Sequence, residues 1–347
     1  MENPSGGETL QPPPKGARIG IIFNLKKGAA GPVEDMEAEY DNIDTVYAIQ
    51  AALERAGLTA LLFEAGPALA DQLRDVKPDM AFNIAEGFSG RGREAQIPAL
   101  LNILGIPFTG SDETTLCIAL DKALTKRLVS SFHVRTPHYA LLTPGQPIHA
   151  AGLTFPVIVK PNAEGSSKGI SDISVVNSPA ELKAVVGRSF ELYHEDMLAE
   201  EYIHGREFTV GLLGNGKETK VFHPMEIIYR RPTQGDYAVY SYGVKKDYQN
   251  CVDYQCPADL TPQQEADMVK AARKVYDLLG CRDFGRADFR MSPDGRIWFI
   301  EINPLPGLAP GYSDYPMLAG FCGTDYDELV LSVLKAGAQR CGVTLFE

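Results

Sequence analysis

Arg286, Asp288, Glu301 and Asn303 are the four residues of this chain best placed to do chemistry together. They lie in GRADFRMSPDGRIWFIEINP, where two alternating runs flank Pro293-Asp294-Gly295-Arg296. An Asp-Gly pair between such runs is a strong hairpin signal. With Asp294 and Gly295 as a two-residue loop, Asp288 faces Glu301 and Arg286 faces Asn303. All four side chains then leave the same side of the sheet. Like charges directly opposite one another destabilise a sheet, so two carboxylates and an amide side by side call for a cation between them. Hard oxygen ligands suit Mg2+, which keeps waters and takes its remaining ligands from substrate phosphates. The competing reading is a solvated hairpin edge with a stray arginine, and a bulge would break the register.

Three further segments carry polar groups at useful spacing. In Lys160-Pro-Asn-Ala-Glu164-Gly-Ser166-Ser167-Lys-Gly169 a strand delivers Lys160 to a loop of glycines and hydroxyls. Converging backbone N–H groups there could meet an anion. The Walker pattern GxxxxGK[ST] is absent, and a plain hairpin loop is the alternative. In Glu200-Glu201-Tyr202-Ile203-His204-Gly205-Arg206-Glu207 a linker between strands offers free backbone groups to a purine edge, and Glu207 an acid for ribose hydroxyls. His204 is read as a solvated loop histidine. In Asn303-Pro-Leu-Pro-Gly307 two prolines stiffen the chain, and Gly307 lets its N–H approach a substrate oxygen. With Arg286 this would make an oxyanion site; a rigid turn is the bland alternative.

The elements that must hold these groups follow from periodicity. Residues 18–24 form an apolar run suited to a buried parallel strand. A helix is expected over 43–56, ended by Gly57, then strand 58–63, helix 68–76, strand 80–84 and helix 93–104 ended by Gly105. This alternation marks a doubly wound α/β unit, whose ligands gather beyond the carboxyl ends of the strands. The segments leaving those ends are 24–41 and 83–93. Helix 121–131 follows, then strands 156–160 and 172–176, helix 179–192, and strands 197–202 and 206–213. Residues 229–254 hold six tyrosines and two adjacent lysines without a clear period, as a structureless loop or a functional lid would. Helix 262–279, the hairpin and a helix near 325–339 complete the chain.

Composition narrows the function. A net charge of -12 argues against nucleic acid as the main partner, because phosphate backbones need a basic surface. The six cysteines are scattered with no CxxC pair, against a thiolate metal site or disulfide framework. No signal peptide and no apolar run of about 18 residues is visible, so a cytoplasmic protein without a membrane span is expected.

Taken in order, the lysine, the Gly/Ser loop, the acidic linker, the tyrosine-rich segment, Arg-x-Asp, Glu-x-Asn and Pro-Gly resemble the ATP-grasp enzymes, and among them the D-alanine–D-alanine ligase family. Three passages carry the likeness: IPFTGS at 106–111 with LDKALTK at 120–126, VIVKP at 157–161 with EGSS at 164–167, and Arg286-Ala-Asp288 with Glu301-Ile-Asn303-Pro-Leu-Pro-Gly307. The resemblance implies a three-domain α/β architecture: a flexible tail over 1–17, an N-terminal doubly wound α/β domain over 18–115, a central α+β lid domain over 116–212, and a C-terminal α+β catalytic domain over 213–347 with a lid loop at 229–254. It implies ATP and two Mg2+ (or Mn2+) as cofactors, a carboxylate and an amine, amino acids by analogy, as substrates, and a homodimer. By the same resemblance Lys122 and Lys160 would hold ATP phosphates, Ser166 and Ser167 would cover the γ-phosphate, and Glu200, Glu201, Ile203 and Glu207 would bind adenosine. Asp288, Glu301 and Asn303 would ligate the metals. Arg286, Ser166, Gly307 and Lys246 would serve catalysis, with Lys245 an equal candidate to Lys246. Glu39, Glu86, Tyr242 and Ser313 would face the substrates.

Departures from the family pattern bear on the substrate. The Gly-Gly-x-Ser-x-Glu segment after the first strand is missing, with Glu37 or Glu39 as replacements, and the His-Gly after the third strand is Glu86-Gly87. A nucleotide-binding regulator with a decayed site is one competing class. A Rossmann dehydrogenase is another, but no GxGxxG follows the first strand.

Overall fold

The computed structural model describes residues 16–28, 37, 39–150, 152–165, 174–233 and 237–346. Residues 1–15 of the expected tail over 1–17, together with Ser166 and Ser167, lie outside the described residues. Residues 16 and 17 are docked: the Ala17 N–H donates to the Leu345 carbonyl at 2.8 Å, and the Thr59 N–H to the Ala17 carbonyl at 3.0 Å.

The first sheet is parallel. Strands β1 (Arg18–Phe23), β2 (Thr59–Glu64) and β3 (Met80–Asn83) lie in the order β2-β1-β3. They alternate with helices α1 (Ile43–Arg55), α2 (Leu69–Val76) and α3 (Gln96–Leu104). β1 is apolar and almost wholly buried because helices cover the sheet. The expected helix 93–104 begins as a 3-10 turn over Arg93–Ala95.

Two elements follow that sequence patterning did not show: α4 (Glu113–Leu120), capped by Asp112, and strand β4 (Tyr139–Leu142). Between them runs α5 (Lys122–Ser131), capped by Asp121. An antiparallel sheet in the order β4-β7-β5-β6 then forms from β4, β5 (Val157–Pro161), β6 (Val175–Val176) and β7 (Met197–Glu201), with α6 (Pro179–Tyr193) packed on it.

The third sheet holds β8 (Arg206–Leu213), β9 (Lys220–Val221), β10 (Met225–Tyr229), β11 (Val252–Gln255), β12 (Phe284–Met291) and β13 (Ile297–Asn303). Its order is β11-β10-β8-β12-β13, with β9 on β8. The described part of 229–254 is not structureless: it folds into α7 (Tyr242–Lys246), α8 (Tyr248–Cys251) and the start of β11. Helix α9 (Pro262–Leu278) opens with a Thr261–Gln264 capping box and a proline in its first turn. It buries Met268, Ala272, Val275 and Tyr276, a helical stripe, against Phe208, Ala287, Phe289, Phe299 and Ile302. Helices α10 (Asp314–Phe321), unforeseen in the sequence, and α11 (Tyr326–Cys341) close the chain. α11 shares one core with the first sheet, through Val330, Val333 and Leu334 beside Ile19, Val46 and Ile49.

Because α9 takes Ala287, Phe289 and Ile302, the opposite side of β12–β13 is left for Arg286, Asp288, Glu301 and Asn303. Arg286 pairs with Asn303 and Asp288 with Glu301. The route to that register differs from the expected two-residue loop. β12 and β13 stop at Met291 and Ile297, and Gly295, at φ +82°, turns the chain between them. A bulge after Asp288 then skips Ile300, which restores the pairing at the site.

All six cysteines are free, and Cys256 Sγ lies 3.7 Å from Cys322 Sγ. No helix among the described residues is long and apolar enough to cross a membrane.

Candidate active site

The cleft-facing side of the hairpin, half-buried, is organised by Arg286. Its Nε and Nη2 donate to Asp288 Oδ1 and Oδ2 at 3.0 and 2.8 Å, a forked pair. Nη1 lies 3.4 Å from Asp314 Oδ2. Thr209 Oγ1 and Asn303 Nδ2 also donate to Asp288, at 2.6 and 3.2 Å. Burial lifts the Asp288 carboxyl while Arg286 pulls it back down. Glu301 behaves oppositely: burial opposes its charge, but Lys122, Lys160 and Arg286 outweigh that and hold it at about 2. The face therefore offers two carboxylates and an amide oxygen, a hard-donor set of the kind Mg2+ takes. Among the described residues no cluster of three or more His, Cys, Asp or Glu forms a metal centre, so a metal here would complete its shell with water or substrate oxygens.

Behind the hairpin a second set of charges is fully buried. Lys160 Nζ donates to Glu200 Oε1 at 2.8 Å, and Lys126 Nζ lies 2.7 Å from Glu200 Oε2. Lys126 is 0% exposed and also donates to Thr136 Oγ1 at 3.0 Å and to the Ile300 carbonyl, the one freed by the bulge, at 2.9 Å. Burial lowers Lys126 to about 8 against the pull of Glu200. For Lys160, burial is outweighed by Glu200 and Glu301, which raise it. Lys122 is brought beside them because Asn162 accepts the Lys122 N–H at its carbonyl, 3.0 Å, and the Ala123 N–H at its side chain, 2.9 Å. Lys122 Nζ donates to the Glu164 carbonyl and lies 3.6 Å from Glu301.

The cleft around these groups has two lobes. One is lined by Lys160, Glu200, Tyr202, Ile203, Glu207 and Arg290. The Glu207 carboxylate accepts from Tyr229 OH at 2.8 Å and Arg290 Nη1 at 3.1 Å, and Arg290 lies over the Tyr202 ring at 4.7 Å. The other lobe, about 1120 Å³ and open to solvent, is walled by Glu39, Asp41, Glu86 and Glu94 on one side and by 302–309 and 312–314 on the other. The lobes meet at Lys245, Arg286, Glu301 and Asp314, which line both.

Most of the expected site residues converge here; Lys246 and Tyr242 lie outside the lobes, and Glu200, Glu201 and Glu39 are already engaged by protein partners. Lys246 ends α7 exposed and lines neither lobe, whereas Lys245 lines both; consecutive helical residues point about 100° apart, so only one can face the cleft. Tyr242, at the start of the same helix, also lines neither lobe. The Glu200 carboxylate is engaged by Lys126 and Lys160. Glu201 turns its side chain to the Thr154 N–H at 2.8 Å, leaving only backbone for the lobe. Glu39, read as a substrate residue, is tied to Arg93 at 2.5 Å and accepts the Gly165 N–H. Gly307 sits where a Cβ would come within 2.8 Å of Ser313 Oγ, which accepts the Ala309 N–H at 3.2 Å.

Sequence reasoning missed Lys126, Arg290, Glu94 and Asp314. Asp314 is 2% exposed and accepts from Tyr240 OH and Tyr254 OH at 3.2 and 3.3 Å. A signal for it existed: Ser313-Asp314 before Pro316 reads as a helix start.

The family model described as D-ala D-ala ligase C-terminus matches residues 140–335. The D-alanine–D-alanine ligase of Pseudomonas entomophila (strain L48) is 34% identical, covering 83% of this chain and 85% of that protein. That of Halorhodospira halophila (strain DSM 244 / SL1) is 33% identical over 92% of this chain and 97% of its own. A crystal structure of the D-alanine–D-alanine ligase from Bacillus anthracis complexed with ATP superposes with a TM-score of 0.74, covering 94% of this chain and 99% of that one; at 22% identity this is a likeness of fold. The chain belongs to the D-alanine–D-alanine ligase family.

Proposed function

We propose that this protein is an ATP-dependent ligase that joins the carboxylate of one amino acid to the amine of another through an acyl phosphate. The supporting observation is the meeting of the two lobes at Arg286, Glu301, Lys245 and Asp314. One lobe has the backbone linker and paired acid that a nucleoside needs, and the other is polar enough for amino acids.

In this reading adenine lies along the backbone of 201–203, ribose hydroxyls meet Glu207, and the phosphates run towards Lys160 and Lys122. Ser166 and Ser167 would add donors, on the family resemblance. Asp288, Glu301 and Asn303 would hold Mg2+, which would neutralise phosphate charge and align the transferring group. A donor carboxylate oxygen attacks the γ-phosphorus, the bond to the ADP oxygen breaks, and an acyl phosphate results. The acceptor amine, having lost a proton, attacks the acyl carbon. Arg286, steadied by Asp288 and Asp314, and the Gly307 N–H face the oxyanion, and phosphate leaves. Acyl phosphates hydrolyse in water, so the cleft must close during turnover. The segment carrying Val239, Tyr240 and Lys245, which lines the cleft, would close it.

The test is a phosphate-release screen over pairs of D- and L-amino acids, with D-alanine alone as the first control. Phosphate released only when both a donor and an amine are present supports the ligase. ATP bound without turnover for any pair would favour a regulator with a silent site.

A further inference from the structure

The acids walling the amino-acid lobe are of two kinds. Glu39 and Glu164 lie 2.5 and 3.0 Å from Arg93, Glu301 lies 3.6 Å from Lys122, and Asp314 lies 3.4 Å from Arg286. Asp41 sits in the field of Lys26. Glu86 and Glu94 differ. Both line the lobe and feel Arg93, and Glu94 also Lys122, only at longer range; among the described residues neither makes a hydrogen bond or an ion pair, although Glu94 is only 8% exposed. Carboxyl groups of this kind normally have a partner, because burial without one is costly.

Their placement is fixed by the backbone. Glu86 leaves the carboxyl end of the parallel sheet, where ligands of such sheets gather. Glu94 lies on the turn before α3. The two segments are pressed together at Gly87, whose φ is +78° and where a Cβ would lie 2.0 Å from the Arg93 carbonyl. The Gly87 N–H is held by Asn24 Oδ1 at 3.0 Å. Only glycine allows this approach, and the contact sets the two acids on one wall.

Resting on the ligase reading above, we propose that Glu86 and Glu94 form a cation subsite and that the carboxylate donor is a diamino acid, whose side-chain ammonium they bind. A monoamino acid brings one ammonium and its own carboxylate, so it leaves this wall short of positive charge. A diamino acid supplies the missing charge, and an ammonium has three N–H donors with which to span two carboxyl groups. Burial pushes both acids up in the empty protein, helped at Glu86 by the charge of Glu94 and at Glu94 by that of Glu39, which together bring Glu94 to about 8. A cation between them would return both to carboxylates.

Calorimetry on the full chain with ADP and Mg2+ tests this, titrating lysine, ornithine, 2,4-diaminobutyrate and alanine in both hands. At least one diamino acid should bind roughly ten- to a hundredfold more tightly than alanine of the same hand, the worth of charge-assisted hydrogen bonds. Glu94→Gln, and separately the less buried Glu86→Gln, should each cut that preference about tenfold, with circular dichroism melting as the check on folding. Alanine binding as tightly as every diamino acid overturns the proposal, as does an absence of diamino-acid binding or an unchanged preference in both folded variants. A parallel ADP-release assay separates the two readings. Preference intact without ADP release for any acceptor sinks the ligase and leaves the subsite standing. ADP release with alanine and no diamino preference sinks only the subsite.

Discussion

Beside the hairpin, charges are met by charges: Arg286 forks onto Asp288, Lys126 and Lys160 share Glu200, and Arg290 holds Glu207. Across the cleft, Glu86 and Glu94 face the cavity with no hydrogen bond or ion pair among the described residues, under only the longer-range field of Arg93 and, at Glu94, Lys122. The first region is ready before any ligand arrives, so its groups need little rearrangement as charge develops in a transition state. The second gives up stability for a group the protein itself does not supply, the usual trade between stability and function. Handling ATP is common to a superfamily, and choosing an amino acid belongs to one enzyme. Compensated and uncompensated charge divide along that line.

The contrast is tested most severely at Lys126. If the buried set is as tightly paired as its geometry indicates, Lys126→Met leaves Glu200 with one partner and should cost about 3–5 kcal/mol of stability, the usual penalty for half-breaking a buried pair. Denaturant unfolding checks it, and a loss below about 1 kcal/mol, the range of surface pairs, would show that water reaches Glu200. Arg286→Ala comes next. It should retain ATP affinity while turnover falls by roughly 10²–10³, as when an oxyanion donor is lost. Near-normal turnover would move the oxyanion site elsewhere. Lys245→Ala should lower turnover by roughly tenfold, and Lys246→Ala by much less, because only the first lysine faces the meeting of the lobes. Equal losses would mean that α7 turns when the cleft closes.

Local patterns were legible in the sequence. The hairpin could be read because an Asp-Gly turn and alternating residues are local signals, and its pairing of Asp288 with Glu301 is the observed one. The two-residue loop was wrong, since the turn is longer and a bulge at Ile300 compensates for it. Helix α4 was hidden because Asp121 ends it and caps α5 at once, with no glycine or proline between. Helix α10 carries Pro316 and is buried on most sides, so it shows no apolar stripe. Choosing Lys245 over Lys246 needed the rotation of a five-residue helix. The partners of Lys126 and Glu94 were illegible for a different reason. Glu200 is 74 residues from Lys126, counted from their numbers, and only the assembled chain shows which charges meet and which do not.

The smallest expected effect reads the unpaired acid directly, without a substrate. Glu94 is pushed up from the usual 4.5 to about 8, first by burial and then by Glu39, with Arg93 opposing. The folded protein therefore holds this proton more tightly than the unfolded chain does. Stability from that source is fully present below about 4.5 and is lost as pH rises through about 8. Asp41, raised to about 7 by burial against Lys26, acts in the same direction. The melting temperature of the ligand-free protein should accordingly fall across this window, and Glu94→Gln should flatten the fall without abolishing it, because Asp41 and Glu86 remain. A saturating diamino acid should flatten it too, since a bound ammonium makes the charged carboxylate the favoured form. If Glu94→Gln melts with the wild-type slope, Glu94 is already ionised and solvated when empty, and the two sides of the cleft do not differ in the way their hydrogen bonds indicate.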